Sequence, residues 1–464
     1  MIRLQESIEV NRSLDDCFYY LADFSTTEQW DPGVYRAEKL TPGAPATGTE
    51  FEVVVNLQGL PVTMHYEMQQ LIPNERIELF GEAQGFTAHD IITFEAIGDQ
   101  KTRINYQADL SFEGPGSAAE PLLKLPAKRV GKKAVKGLAK ALAPQDKPKK
   151  LKLTGKLADR LVWPAAAQFT RLGYQLMDDK SHTDYLDGKT IVITGPTAGL
   201  GLAAACELSR LRANLVLVGR DRNRLQEACQ TIMDFSGASE DTLEVIEADL
   251  QSMAAVKDAA ALVRENVGEL HALVNNAGAL FAEHELNADG FERGLGINLI
   301  APWVLTQELM PLIRKSKTRV INVVSGGMYL QGVKLKDMNF LNEDYNGSRA
   351  YARAKRALFA ASEYWTEAES DSGATFNCMH PGWADTPGVV KSLPAFHEKL
   401  GKALRDSRQG ADTIVWLASS PAAEDESGKL WFDRRAHADS VIPNTQVSDD
   451  KRHRLIAWLK QKTV

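Results

Sequence analysis

From residue 1 to about 112, apolar and polar positions alternate with a period of two. The runs are QESIEVN, TEFEVVVNL, PVTMHYEMQQLI, RIELFGE, HDIITFEAI and KTRINYQADLSF, separated by Gly, Pro and Asn. Such alternation predicts strands with one buried face. One helix, SLDDCFYYLADF, interrupts after the first strand, with Ser13 placed to cap it and Asp15 and Asp16 in its first turn. The block closes on PLLKLPAKRVGKKAVKGLAKALA, one amphipathic helix in which Lys124, Lys128, Lys132, Lys136 and Lys140 recur every four residues. From about residue 186 short β-branched runs (KTIVITG, NLVLVGR, LEVIEADL, LHALVNNAG, TRVINVVSGG, ATFNCMHPG) alternate with helical stretches. That rhythm predicts a parallel, doubly wound sheet.

The expected architecture is an α+β helix-grip domain followed by an α/β Rossmann domain. The expected boundaries are 1–145 for the first domain, 146–185 for a basic linker and apolar docking segment, 186–445 for the second domain and 446–464 for a helical tail. Pro and Lys dominate PQDKPKKLKLTGKLADR at 144–160, the mark of a linker. LVWPAAAQFTRLGYQLM after it is apolar but broken by Pro164 and Arg171. Docking against a domain is one reading and a membrane surface is the other.

Charge narrows the partners. Residues 121–160 hold 13 Lys and Arg against Asp146 and Asp159, so this window is +11 and the remainder of a chain of net charge -7 is -18. A basic island in an acidic protein argues against a general nucleic-acid binder and leaves a peripheral contact with anionic membranes open. Cys17, Cys206, Cys229 and Cys378 are far apart and form no metal-ligand spacing; together with nine scattered histidines they give no metal site, and they read as reduced thiols of a cytoplasmic protein. No apolar signal core opens the chain, and no apolar run is long enough to span a bilayer.

The first strand of the second half runs into GPTAGLG and then a helix. Gly195, Gly199 and Gly201 allow a tight turn and close backbone approach to a pyrophosphate, whose charge is met by free N–H groups at the helix start. The spacing is GxxxGxG rather than the commoner GxGxxG. At the end of the second strand, where NAD-selective sites place an acid, stand Gly219 and Arg220. A guanidinium pairs with a ribose 2'-phosphate, so NADP(H) is favoured over NAD(H). The bland alternative is a solvated Arg220 beside Asp221.

In SRAYARAKRALF at 348–359, Tyr351 and Lys355 are four apart and share a helix face. With TGPTAGLG at 194–201, Asp249 and Leu250, NNAG at 275–278, Asn298 in INL, Ser325 closing VINVVS, YARAK at 351–355 and PGWADT at 381–386, the order resembles the short-chain dehydrogenase/reductase superfamily, classical type, over about 186–440. VVSGGM, MHPGWADTPGV and RQGADTIVWLA narrow the likeness to one member of that superfamily. The resemblance implies catalysis by Asn298, Ser325, Tyr351 and Lys355. It implies cofactor contacts from Thr194, Gly195, Gly199, Leu200, Gly201, Arg220, Asp249, Leu250, Asn276, Ala277, Gly278, Lys355, Pro381, Gly382 and Thr386. Tyr351 would exchange a proton with the substrate oxygen; a free phenol, with pKa near ~10, suits this poorly at neutral pH, and Lys355 would lower that value. Ser325 would hydrogen-bond the oxygen as charge develops, and Asn298 would organise a water. Arg349, Arg353 and Arg356 read as solvated or as phosphate neighbours.

The opening IEVNRSLDDCFYYLADFSTTEQWDPGV, with the strands and last helix after it, resembles the START and polyketide-cyclase type of domain over about 1–143, which implies a hydrophobic ligand. Two departures stand out in the second half: Pro196, Thr197 and Ala198 replace small polar residues in the glycine turn, and 25 residues separate Ser325 from Tyr351. The insertion reads as a flap whose Met328, Tyr329, Leu330, Met338 and Phe340 form an apolar pocket, or as a plain surface extension. The expected activity is hydride transfer between NADP(H) and a carbonyl or alcohol of an apolar molecule of lipid, steroid, retinoid or fatty-aldehyde type, the first domain binding or presenting a hydrophobic ligand. The rival is a lipid-binding sensor that takes NADP(H) as a ligand without turnover. The resemblance also implies pairing of two copies through helices flanking the active site.

Overall fold

The computed structural model describes residues 1–57, 60–112, 120–144, 166–177, 183–385, 398, 401–440 and 445–463. Thr386 and most of the proline- and lysine-rich stretch lie outside the described residues, as do the side chains of Lys124 and Lys128. The chain forms two compact units, residues 1–146 with 178–183, and residues 147–177 with 184–464.

The first unit is a curled antiparallel sheet of seven strands: β1 (Ile2–Val10), β2 (Val34–Lys39), β3 (Glu50–Leu57), β4 (Leu60–Ile72), β5 (Arg76–Ala83), β6 (Phe86–Gly98) and β7 (Lys101–Phe112), in the order β1-β7-β6-β5-β4-β3-β2. Even positions of β6 and β7 face inward, with Ala88, Asp90, Ile92, Thr102, Ile104 and Ala108 buried. Helix α1 (Leu14–Ala22) is capped by Ser13, whose hydroxyl accepts the Asp16 N–H, and buries Phe18 and Leu21 on the sheet. Helix α2 (Glu120–Ala141) brings Leu138 into the same core with Trp30. Strand β2 has no counterpart in the alternation read from the sequence, because only Ala37 of its six residues is buried.

The second unit is an eight-stranded sheet of β8 (Thr190–Thr194), β9 (Asn214–Gly219), β10 (Leu243–Glu247), β11 (Ala272–Asn275), β12 (Arg319–Val323), β13 (Thr375–Met379), β14 (Leu430–Phe432) and β15 (Arg435–His437). Its order is β10-β9-β8-β11-β12-β13-β14-β15, parallel except for the last pair. Helices α3 (Gly199–Arg210), α4 (Arg222–Ser236), α5 (Met253–Asn266), α6 (Ala301–Ser316), α7 (Gly347–Ala368) and α8 (Ser407–Ser419) cover it, and α9 (Asp449–Lys462) lies along α7. Strands β8, β11, β12 and β13 are buried almost throughout, with apolar residues at their centres, as cover on both faces demands. Among the described residues no helix is long and apolar enough to cross a membrane.

Candidate active site

Strand order reverses at β8, which has β9 on one side and β11 on the other. In doubly wound sheets the crevice at the carboxyl ends of such a pair is where ligands bind. Here Gly195 turns the chain out of β8 with φ +67°, a conformation that L side chains rarely adopt. The chain enters α3 after Ala198, which gives no side-chain cap, so the helix start keeps N–H groups for an outside acceptor. A Cβ on Gly201 would stand 2.2 Å from the Gly195 carbonyl oxygen and 2.4 Å from Asn276 Nδ2. Asn276 Nδ2 donates to the carbonyls of Thr194 (3.0 Å) and Gly195 (3.2 Å), while Thr194 Oγ1 accepts the N–H groups of Asn276 (3.1 Å) and Ala277 (3.0 Å). Thr194, Leu250 and Ala277 line a small void together with Asn275, Ile297 and Leu305. Leu200 and Pro381 both pack over Gly410 of α8.

Arg220, at the end of β9, is exposed and makes no ion pair among the described residues. The neighbouring Asp221 turns its carboxylate to the start of α4 and accepts the Arg224 N–H at 3.1 Å. Asp249 follows β10, exposed, accepting the Gln251 N–H at 3.0 Å, with Leu250 buried beside it.

The predicted tetrad converges on the same end of the sheet. Asn298 sits in a π-helical turn, Gly296–Ile300, a distortion frequent at functional sites. Its Nδ2 donates to the carbonyls of Ala279 (2.7 Å) and Gly294 (2.8 Å), and its Oδ1 accepts the Ala279 N–H (3.3 Å). A Cβ on Gly278 would lie 2.7 Å from Asn298 Oδ1 and 3.1 Å from Lys355 Nζ, which fixes both polar groups against one glycine. Lys355 Nζ donates to the Val323 carbonyl at 2.8 Å and stands 5.7 Å from the centre of the Tyr351 ring. Asn298 and Lys355 are fully buried, whereas Ser325 and Tyr351 are only partly buried. Burial pushes the Tyr351 phenol up to about 12, opposed by a hydrogen bond with Ser325. Burial pushes the Lys355 ammonium down to about 8, opposed by the thiol of Cys378. Burial therefore dominates at the phenol, and the group that opposes it is Ser325, where the sequence led us to expect Lys355.

A family model for short chain dehydrogenases matches residues 189–395, and one for polyketide cyclase/dehydrase and lipid transport matches residues 1–143. Over 256 residues the chain is 35% identical to the Bos taurus protein Dehydrogenase/reductase SDR family member 12, covering 54% of this chain and 79% of the relative. The chain belongs to the short-chain dehydrogenase/reductase family. That member is the one its VVSGGM, MHPGWADTPGV and RQGADTIVWLA segments resemble. Other relatives are Homo sapiens Retinol dehydrogenase 14, 32% identical over 281 residues (56% of this chain, 82% of the relative), and Mus musculus Polyprenol dehydrogenase, 32% identical over 247 residues (50% and 72%). The first unit is a polyketide-cyclase-like domain.

Several groups that brace this short-chain dehydrogenase/reductase site escaped the sequence reading. Glu292 is 1% exposed and accepts the N–H groups of Gly294 and Leu295 at 2.7 Å each and the hydroxyl of Tyr345 at 3.0 Å. It thus ties the 326–350 insertion to the turn that carries Asn298. Arg405 is buried, pairs with Asp433 at 2.6 Å and donates to the carbonyls of Gln168 (2.8 Å) and Thr170 (3.2 Å). Phe169 stacks on Trp383, so residues 166–170 brace the PGW loop. Arg356, expected to be solvated or a phosphate neighbour, is in fact buried and donates to the carbonyls of Met328 (3.1 Å) and Asp439 (2.7 Å). Arg353 and Arg349 are held by Glu343 of the insertion. Within that insertion Met328, Tyr329 and Phe340 are buried in packing, Met338 is partly buried and Leu330 is exposed. Among the described residues no group of His, Cys, Asp and Glu is arranged to hold a metal ion.

Proposed function

We propose that the protein is an NADP(H)-dependent oxidoreductase that interconverts a carbonyl and an alcohol on an apolar molecule, working as a reductase, while its polyketide-cyclase-like domain binds or presents a hydrophobic ligand. The observation that carries this reading is the convergence of Asn298, Ser325, Tyr351 and Lys355 beside a glycine-lined helix start. The residues present fit a dinucleotide, because the turn at Gly195 and the bare face of Gly201 leave backbone where a side chain would obstruct a pyrophosphate. A bound nicotinamide supplies the hydride. Arg220 takes the 2'-phosphate, and its freedom from ion pairs supports NADP(H) over NAD(H). Thr386, outside the described residues, is assigned to the nicotinamide carboxamide.

Tyr351 holds the proton that the substrate oxygen gains or gives up, and Ser325 donates to that oxygen as charge develops. Lys355, a buried cation one turn away, would favour an anionic oxygen brought beside it, and Asn298 is assigned to the polar path behind it. The names of the retinol and polyprenol dehydrogenases among its relatives support an apolar substrate, within the proposed range of lipid, steroid, retinoid or fatty-aldehyde type. Two copies are proposed to pair beside the active site; α9 lies along α7 with Leu455, Ile456 and Leu459 buried, so a partner would meet α9 rather than bare α7. Exposed Lys132, Lys136 and Lys140 on α2 form the proposed contact with anionic membranes.

One observation favours the sensor reading: burial holds the Tyr351 phenol near 12, far from neutral pH. NADPH oxidation over a panel of apolar aldehydes and ketones, with Tyr351→Phe alongside and NADH as the comparison, separates the two. Turnover with NADPH that is lost in the variant is the expected result. Nucleotide binding with no turnover on any compound overturns the catalytic reading in favour of the sensor.

A further inference from the structure

The inner face of the N-terminal sheet is apolar apart from a few groups, and one of them is placed oddly. Asp90 of β6 is 4% exposed. Its strand neighbours across the ladder are Leu79 and Ala108, and Ala88 and Ile92 flank it along the strand. Gly81 pairs with Ala88, so the small residues Ala88 and Ala108 adjoin the carboxyl, and the Tyr66 ring lies across Gly81, 2.5 Å from where a Cβ would stand. Asp90 Oδ1 accepts the Tyr106 hydroxyl at 2.9 Å. The Tyr66 hydroxyl also interacts with the Asp90 carboxyl, yet among the described residues no group lies in hydrogen-bonding geometry to the buried Oδ2.

A buried carboxylate oxygen without a partner is costly, and folded proteins keep few of them. Apolar packing would have been the cheaper choice at this position. The same face carries Val55, Val62, Leu110 and Phe112, all only partly buried, so apolar surface is on offer around the acid. The polar groups that act on it are the Tyr66 and Tyr106 hydroxyls, His89 and Asp31; Asp31 already accepts the Gly33 N–H at 2.7 Å, and His89 lies 2.7 Å from Glu78. An ammonium would bring three donors to this single unmatched acceptor, whereas a hydroxyl brings one. Burial raises the Asp90 carboxyl to about 6, which leaves it mainly an acceptor at neutral pH.

We propose that Asp90 anchors the hydroxyl group of an apolar alcohol on the inner face of the N-terminal sheet, with Tyr106 fixing the carboxyl's orientation. This rests on the reading that the domain takes an apolar ligand and adds which end of that ligand it recognises. The alcohol is one member of the pair that the reductase site would interconvert.

The test uses the full chain without nucleotide, titrated with pyrenyl-dodecanol, its methyl ether and the corresponding amine, read by pyrene fluorescence. The alcohol is expected to bind roughly tenfold more tightly than the ether, the value of one good hydrogen bond. Asp90→Leu should erase that preference while the ether still binds, and should raise the thermal midpoint; Tyr106→Phe, which leaves the acid in place, should reduce the preference about threefold. Equal binding of alcohol and ether overturns the anchor and leaves the apolar-ligand reading standing. No binding of any probe overturns both. Tighter binding of the amine overturns the hydroxyl assignment, and a preference that survives Asp90→Leu places recognition elsewhere. An Asp90→Leu chain of lower midpoint with unchanged preference would make the acid purely structural.

Discussion

Replacing Lys355 by methionine should stabilise the protein while abolishing its activity. Lys355 is 2% exposed, and burial lowers its ammonium from an ordinary 10.5 to about 8. Among the described residues no carboxylate pairs with it; the Val323 carbonyl is its hydrogen-bond partner and the Cys378 thiol the group that opposes the shift. That fall corresponds to about 3 kcal/mol against the folded state at pH 7. The folded chain holds this proton less tightly than the unfolded chain does. The penalty is therefore complete below about pH 8, shrinks as pH rises, and is gone above about 10.5. Methionine keeps much of the stem's volume and forfeits the hydrogen bond to Val323, about 1 kcal/mol. The net gain is about 2 kcal/mol at pH 7, a midpoint raised by roughly 4–8 °C for a domain of this size. Seven of the eight tryptophans lie beyond residue 146, so tryptophan fluorescence during thermal unfolding follows the reductase unit. A variant less stable than wild type at pH 7, or a difference that is the same at pH 7 and pH 10.5, would refute the reasoning.

Gly278→Ala places a methyl group 2.7 Å from Asn298 Oδ1 and 3.1 Å from Lys355 Nζ, and should lower kcat/KM about 100-fold by displacing both; steady-state kinetics at wild-type level would sink this. Arg220→Glu should raise the KM for NADPH at least about tenfold with NADH little changed, and an unchanged ratio of the two would remove the 2'-phosphate assignment. Burial raises Asp90 from 3.8 to about 6, so the folded state binds that proton more tightly, and the N-terminal unit should lose up to about 3 kcal/mol as pH rises from about 4 to 6. Asp90→Asn should flatten that slope in pH-dependent denaturation; a slope that persists assigns it to other groups.

How far the sequence reached, and where it stopped, follows from which interactions are local. Alternation located the strands that turn one face inward over most of their length, and it passed over β2, where Ala37 alone is buried. The glycine turn was legible because Gly195 and Gly201 answer to backbone constraints that neighbours in sequence create. Arg356 had a visible signal: it is four residues after Ala352 and three before Phe359, on the buried face of α7, and reading the charge as solvated ignored that period. Glu292 had none, since its burial depends on Tyr345, 53 residues away, and its role in holding the Asn298 turn exists only once the insertion folds back. Tyr351 and Lys355 show the limit most plainly. Spacing by four put them on one face, but adjacency on a helix does not decide which charge a phenol feels. Nζ turns to the Val323 carbonyl and stands 5.7 Å from the ring centre, so in this geometry burial dominates both groups and pushes their pKa values toward opposite neutral forms, the phenol to about 12 and the amine to about 8. A site with both groups so disposed keeps the proton on Tyr351 at neutral pH, and Ser325 is the group of the chain that opposes this.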